Sequence, residues 1–254
     1  MKRIFYLIAC VALMTSCAEQ YSIKGTSTLS VLDGSKLYLK VLKGTEMTIL
    51  DSCEVVHGQF RFSGLLDTTY MASLYLGERS VMPLVVEKGD IQIRIEEAQQ
   101  RVSGSPMNEL LYDFLDRHNQ LESQMMELPH RESRMLLDGI NEDEINDLLS
   151  AEAAMLAQQE DSLVYEFVVA NFDNVLGPFV FVQMASSVPQ VEHVMSVAPD
   201  AFKNHPAVSK FYRHVTEMTA PAGQGGMALG EDTNASEIDD AMIQDILNGN
   251  GDNH

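Results

Sequence analysis

Cys53 is the residue whose type most invites chemistry, a lone thiol set among Asp51, Ser52 and Glu54 in a stretch of alternating apolar and polar residues. Its neighbours work against reactivity, because negative charge disfavours the thiolate and the thiolate is the nucleophile. The residue is therefore read as a small structural hydrophobe, with a redox or mixed-disulfide role as the alternative. The 7 histidines form no H-E-x-x-H or comparable ligand spacing, so His118 and His193 are expected to be packed or surface residues and no metal is expected. Glu142-Asp143-Glu144 is an acidic run where a helix start favours negative charge, and no Gly-containing calcium loop accompanies it. No G-x-S-x-G elbow occurs, and Gly223 to Gly226 lacks the Lys and strand context of a phosphate loop. These patterns imply no catalytic residue, no cofactor and no enzyme.

Cys17 offers a different chemistry. Lys2 and Arg3 precede the apolar run Ile4 to Met14, which Thr15-Ser16-Cys17 closes. The run fits the apolar region of an export signal, about 7 to 15 residues, and falls short of the roughly 20 needed to cross a membrane. Met14-Thr15-Ser16-Cys17 resembles a bacterial lipobox, with Met where Leu is commonest. That resemblance implies cleavage after Ser16 and acylation of Cys17. Paired acyl chains anchor durably, so the expected location is the cell envelope, lipid-anchored to the outer membrane at its periplasmic or surface face. Cys10 then leaves with the signal, and of 3 cysteines only Cys53 remains a free thiol, which excludes an intrachain disulfide.

The chain carries 37 acidic and 17 basic residues, a formal net charge of -20, and loss of Lys2 and Arg3 makes it more negative still. Such a surface repels phosphate backbones, so nucleic-acid binding is not expected. The expected partners are the membrane, through the lipid, and an envelope protein. From His214 onward there is no Lys or Arg, which marks residues 221–254 as an acidic, mostly disordered tail. Within it Ser236 and Asp239 suggest a capping box for a short helix over 236–247 whose one side carries Ile238, Met242, Ile243 and Ile246. That stripe is read as a partner-docking surface, with folding back onto its own domain as the alternative.

The elements that must position these residues predict an α+β protein. After a signal at 1–16 and a lipidated tether at 17–20, residues 21–103 read as an antiparallel β-sandwich or barrel-like domain of seven to eight strands. Leu37, Leu39 and Val41 alternate with Tyr38 and Lys40, and Lys43-Gly44 suits a turn. Met47 to Val56 reads as one strand, and His57-Gly58 as a tight hairpin before Gln59 to Phe62, because Gly accepts the positive φ such a turn needs. Further strands are expected at Met71 to Leu76, Val81 to Glu87 and Asp90 to Ile95.

Residues 104–220 then change to helical spacing, with Ser105 placed as a cap and Pro106 at the first helical position. The first helix should present Met107, Leu110, Leu111, Phe114, Leu115 and Leu121, and stop before Pro129. Asn141 and Glu144 look like a capping pair for a second helix with an apolar face from Ile145 to Phe167 that includes Leu148 and Met155. Gly177 and Pro178 should interrupt the buried segment Val175 to Met184, and Val208, Phe211, Tyr212 and Val215 mark a last helix.

Several pieces in order are similar to one family: Ile23-Lys24-Gly25, Leu37-Tyr38-Leu39, Leu50-Asp51-Ser52, Gly58 to Gly64, Glu87-Lys88-Gly89-Asp90-Ile91, and Val102 to Ser105 followed by Asn108. Through them the segment Tyr21 to Leu115 resembles domain of unknown function 4369, found in secreted and lipid-anchored proteins of Gram-negative bacteria. The resemblance implies a β domain and helical segment that, in many relatives, precede a thioredoxin-like domain with a Cys-x-x-Cys pair. The residues after Gly225 contain no cysteine and are too few for such a domain. The resemblance brings no catalytic residue with it. The expected function is therefore a non-catalytic envelope lipoprotein acting as a binding or assembly module. The alternative is an accessory of thiol–disulfide or antioxidant chemistry that scaffolds a separate thioredoxin-like partner.

Overall fold

The computed structural model describes residues 19–43 and 46–219. The Cys17 lipidation site, the Lys43-Gly44 turn and the stripe Ile238, Met242, Ile243 and Ile246 lie, wholly or in part, outside the described residues. Eight strands come first: β1 (Glu19–Ser27), β2 (Lys36–Lys43), β3 (Glu46–Glu54), β4 (Gln59–Leu66), β5 (Tyr70–Leu76), β6 (Arg79–Val86), β7 (Gly89–Ile95) and β8 (Gln100–Ser103). Helices follow: α1 (Pro106–Leu137), α2 (Glu142–Ala170), α3 (Leu176–Met184), α4 (Val188–Val197), α5 (Asp200–Lys203) and α6 (Pro206–Thr219). The α+β class expected from periodicity is the one observed.

The strands form two four-stranded sheets, ordered β4-β1-β7-β8 and β3-β2-β5-β6. Strands β2 and β7 alternate as half-buried strands must: β2 buries Leu37, Leu39 and Val41 and turns Tyr38 and Lys40 outward, while β7 buries Ile91, Ile93 and Ile95; β6 instead buries Leu84, Val85 and Val86 in succession. The two inner faces share one core with Leu111 and Phe114 of α1, Val164 and Val168 of α2, and Phe181 of α3. The domain is not wholly antiparallel, because β1 pairs with β7 in parallel register, Ile23 opposite Ile91. The long excursion through β2 to β6 supplies the crossover that a parallel pair requires.

The β3–β4 hairpin closes through His57 and Gly58, both with positive φ (52° and 69°), and Val56 bridges Gln59. This is the twist-matched type I′ geometry, so the turn needs the left-handed conformation at His57 as well as at the glycine. β3 ends at Glu54, two residues short of the expected strand, as Val55 turns inward to bond Ser35.

Helix α1 departs from expectation by running through Pro129. An internal proline costs about 3 kcal/mol, yet next to it Leu128 is buried with Ile145, Leu149 and Leu156 of α2 in a second small core. Each such side chain contributes about 1.5–3 kcal/mol on full burial, so packing against α2 outweighs the break. Leu110, Leu148 and Met155, assigned to buried faces by spacing, are 45%, 50% and 51% exposed; for Leu148 and Met155 only the narrow seam of Ile145, Leu149 and Leu156 is covered in the two-helix hairpin. Pro178 does not interrupt α3 but sits in its first turn, where its missing N–H leaves no bond unmade. No described helix is long and apolar enough to cross a membrane.

Candidate functional site: an apolar cleft between sheet and helices

The helices are placed on the sheets by specific polar contacts. Asn108, fully buried, accepts from Val85 N at 2.9 Å through Oδ1 and donates to Val85 O at 2.7 Å through Nδ2. Its amide thereby supplies the donor and acceptor that another strand would offer the β6 edge. Ser105 begins the helix with extended backbone, but its hydroxyl accepts from Asn108 Nδ2 at 2.8 Å instead of capping a backbone N–H. One turn on, Tyr112 Oη donates to Pro83 O at 2.9 Å, and burial pushes the phenol far above its ordinary range. On the other flank Arg101 of β8 bonds Glu109, Asp113 and Asp116 along one face of α1.

This docking leaves a cleft of about 480 Å³ on the outer face of the second sheet. Strands β2 and β5 and the loop before β5 make its floor, with Leu42, Met71 and Tyr75; Leu115, Val175 and Phe179 stand as its wall. Lys40 and Ser73, paired across the β2/β5 ladder, both line it. Lys40 Nζ lies 4.3 Å from the centre of the Tyr75 ring and 3.3 Å from Glu78 Oε2. His205 also lines the cleft, and burial pulls its pKa below the ordinary imidazole value, which favours the neutral ring. The volume falls in the roughly 300–1,000 Å³ range of small-molecule sites, which are mostly apolar with a few polar groups.

The residues singled out from sequence lie elsewhere. Cys53 sits half-buried in β3, opposite Leu37, and is not part of the cleft lining. Burial pushes its thiol pKa up and the Asp51 charge adds to this, against a backbone hydrogen bond from Arg61 that pulls it down. His118 Nε2 contacts Glu160 Oε1 at 3.0 Å between α1 and α2, and His193 packs edge-on against Tyr165. Glu142, Asp143 and Glu144 form the first turn of α2, where Asn141 Oδ1 accepts from Asp143 N at 2.8 Å; the cap bond reaches Asp143 rather than Glu144. Among the described residues no group of three or more His, Cys, Asp or Glu side chains is arranged to hold a metal.

Sequence reasoning did not find the cleft. Lys40, Tyr75, Phe179 and His205 are too far apart in the chain for any spacing rule to join them. The one available signal was the polar outward face of β2, where Lys36, Tyr38 and Lys40 alternate with core residues.

Two sheets sharing one core, closed on one side by helices that leave an apolar cleft, define a β-rich α+β scaffold with a ligand-sized recess. Residues 21–111 match the family model described as a domain of unknown function (DUF4369). The match covers β2 to β8, β1 from Tyr21 onward and the opening of α1, including Asn108. No curated protein matches the chain.

Proposed function

We propose that the protein is a non-catalytic, lipid-anchored binding module of the cell envelope, working outside the cytoplasm. The observation that carries the binding role is the cleft beneath α3, framed by rigid strands and helices and lined mainly by apolar groups. The envelope location rests on the export-signal pattern from Lys2 to Ser16 and on the acylation that Met14 to Cys17 resembles. Two-chain acylation at Cys17 would keep this face at a membrane without a spanning helix.

The test is extraction of the native protein from membranes, followed by mass analysis of its first peptide and of what it retains. The expected result is an acylated Cys17 and an envelope component held by the native protein and lost in Phe179→Glu. An unmodified sulfur at Cys17 removes the anchor, and equal retention by both forms removes the cleft as the binding face. A thioredoxin-like protein retained by both forms would replace this reading with a scaffold for thiol–disulfide chemistry.

A further inference from the structure

We propose that the cleft binds a single-chain amphipathic carboxylate, with its hydrocarbon tail between β5 and α3 and its head at Lys40. This deepens the binding-module reading and rests on it. The sign of the ligand follows from the lining. In a chain with 37 acidic residues against 17 basic ones, no Asp or Glu lines the cleft among the described residues, and Lys40 does. The lining thus departs from the acidic balance of the chain and offers a place where negative charge is accepted.

Lys40 is also held in an unequal ion pair. Its side chain is 15% exposed, whereas that of its partner Glu78 is 97% exposed. A pair with one member fully in water is weakly held and readily exchanged. The ammonium itself is kept in place by the face of Tyr75. A carboxylate arriving within the cleft would replace a solvated partner with one in apolar surroundings, where a charge-assisted hydrogen bond is stronger. Ser73, opposite Lys40 on β5, stands beside the same point with a hydroxyl donor.

The tail is specified by what lies beyond Lys40. Met47, Met71 and Met184 line the recess with Phe179 and Val182. Unbranched thioethers conform to a flexible chain better than β-branched side chains do. A rigid polar ligand such as a sugar would instead need a dense set of hydrogen-bonding groups on these walls.

Calorimetric titration of the complete chain after Ser16, made unacylated, with dodecanoate below its micelle concentration tests the proposal. Expected is saturable binding of one dodecanoate per chain, no competition from dodecyltrimethylammonium, and about tenfold or greater weakening in Lys40→Met, as loss of one charge-assisted contact implies. Dodecanol, which has the tail without the charge, should bind the native protein and Lys40→Met alike. Met71→Glu, which adds an acid to a half-buried floor position, should abolish dodecanoate binding without shifting the unfolding midpoint of the free protein by more than a few degrees. Absence of saturable dodecanoate binding overturns the proposal, as does an unchanged affinity in Lys40→Met or equal binding of the cationic amphiphile. If dodecanoate fails while an envelope component is still retained in a cleft-dependent way, the ligand class falls and the binding-module reading stands.

Discussion

The Phe60 ring covers the backbone of Gly25, its partner across the β1/β4 ladder, so closely that a Cβ at residue 25 would stand 2.1 Å from the ring carbons. Four residues along, the arrangement is reversed: Tyr21 covers Gly64, where a Cβ would meet the ring at 3.0 Å. Two aromatic rings thus cover two glycines reciprocally along one pair of strands, which gives a physical reason for the Gly25, Phe60 and Gly64 positions of the family pattern. Gly25→Ala should destabilise the protein by about 3 kcal/mol or more, at the upper end of overpacking costs because the obstacle is a buried ring. Urea unfolding of Gly25→Ala alone and combined with Phe60→Leu checks this, the second change being expected to recover part of the loss.

Asn108 should be the least replaceable polar residue of α1. Replacing it with Leu keeps the volume but leaves Val85 N and O without the partners observed at 2.9 and 2.7 Å. A buried unsatisfied group costs about 1–3 kcal/mol, so Asn108→Leu should lower stability by that order or more. Hydrogen exchange at the Val85 amide, expected to quicken well beyond the global change, separates loss of this clamp from general weakening.

Pro129 makes the opposite prediction. Because α1 continues through it, the missing N–H and the ring strain are carried by the folded state. Pro129→Ala should raise stability, by up to about 3 kcal/mol on helix propensity. A lowered thermal midpoint would show that the chain exploits a bend there.

The His118–Glu160 contact gives a pH dependence with a defined sign. The hydrogen bond from His118 is the main cause holding the Glu160 pKa below its ordinary value of 4.5, against the opposing effect of burial. A carboxyl depressed on folding contributes stability that is complete above its ordinary value and is lost as pH falls through the folded one. His118→Gln should therefore weaken the protein at neutral pH, and the difference from the native protein should close in acid. Urea midpoints across that range, with carbon-detected titration of Glu160 moving upward in the variant, check both parts.

Much of the scaffold was legible because it depends on local pattern. The alternation in β2, the period change at Ser103 to Pro106 and the hairpin at His57-Gly58 are short-range signals, and all three appear in the structure. What escaped depends on partners distant in sequence. The parallel β1/β7 pair joins Ile23 to Ile91, and no local pattern encodes such a choice. Pro129 looked like a stop because the core that overrides it includes residues of the next helix. The cleft escaped for the same reason, its lysine and its phenylalanine lying on opposite sides of the main internal boundary.

Strand β1 is bonded on both sides, to β4 and to β7, and begins only two positions after Cys17. If that cysteine carries the anchor, the body has almost no leash. Tension along the strand from the bilayer would load two ladders in shear at once instead of peeling one open, and the short connection would limit how far the folded part can swing. The attachment point would then act as a stiff mount that fixes which way the recess looks.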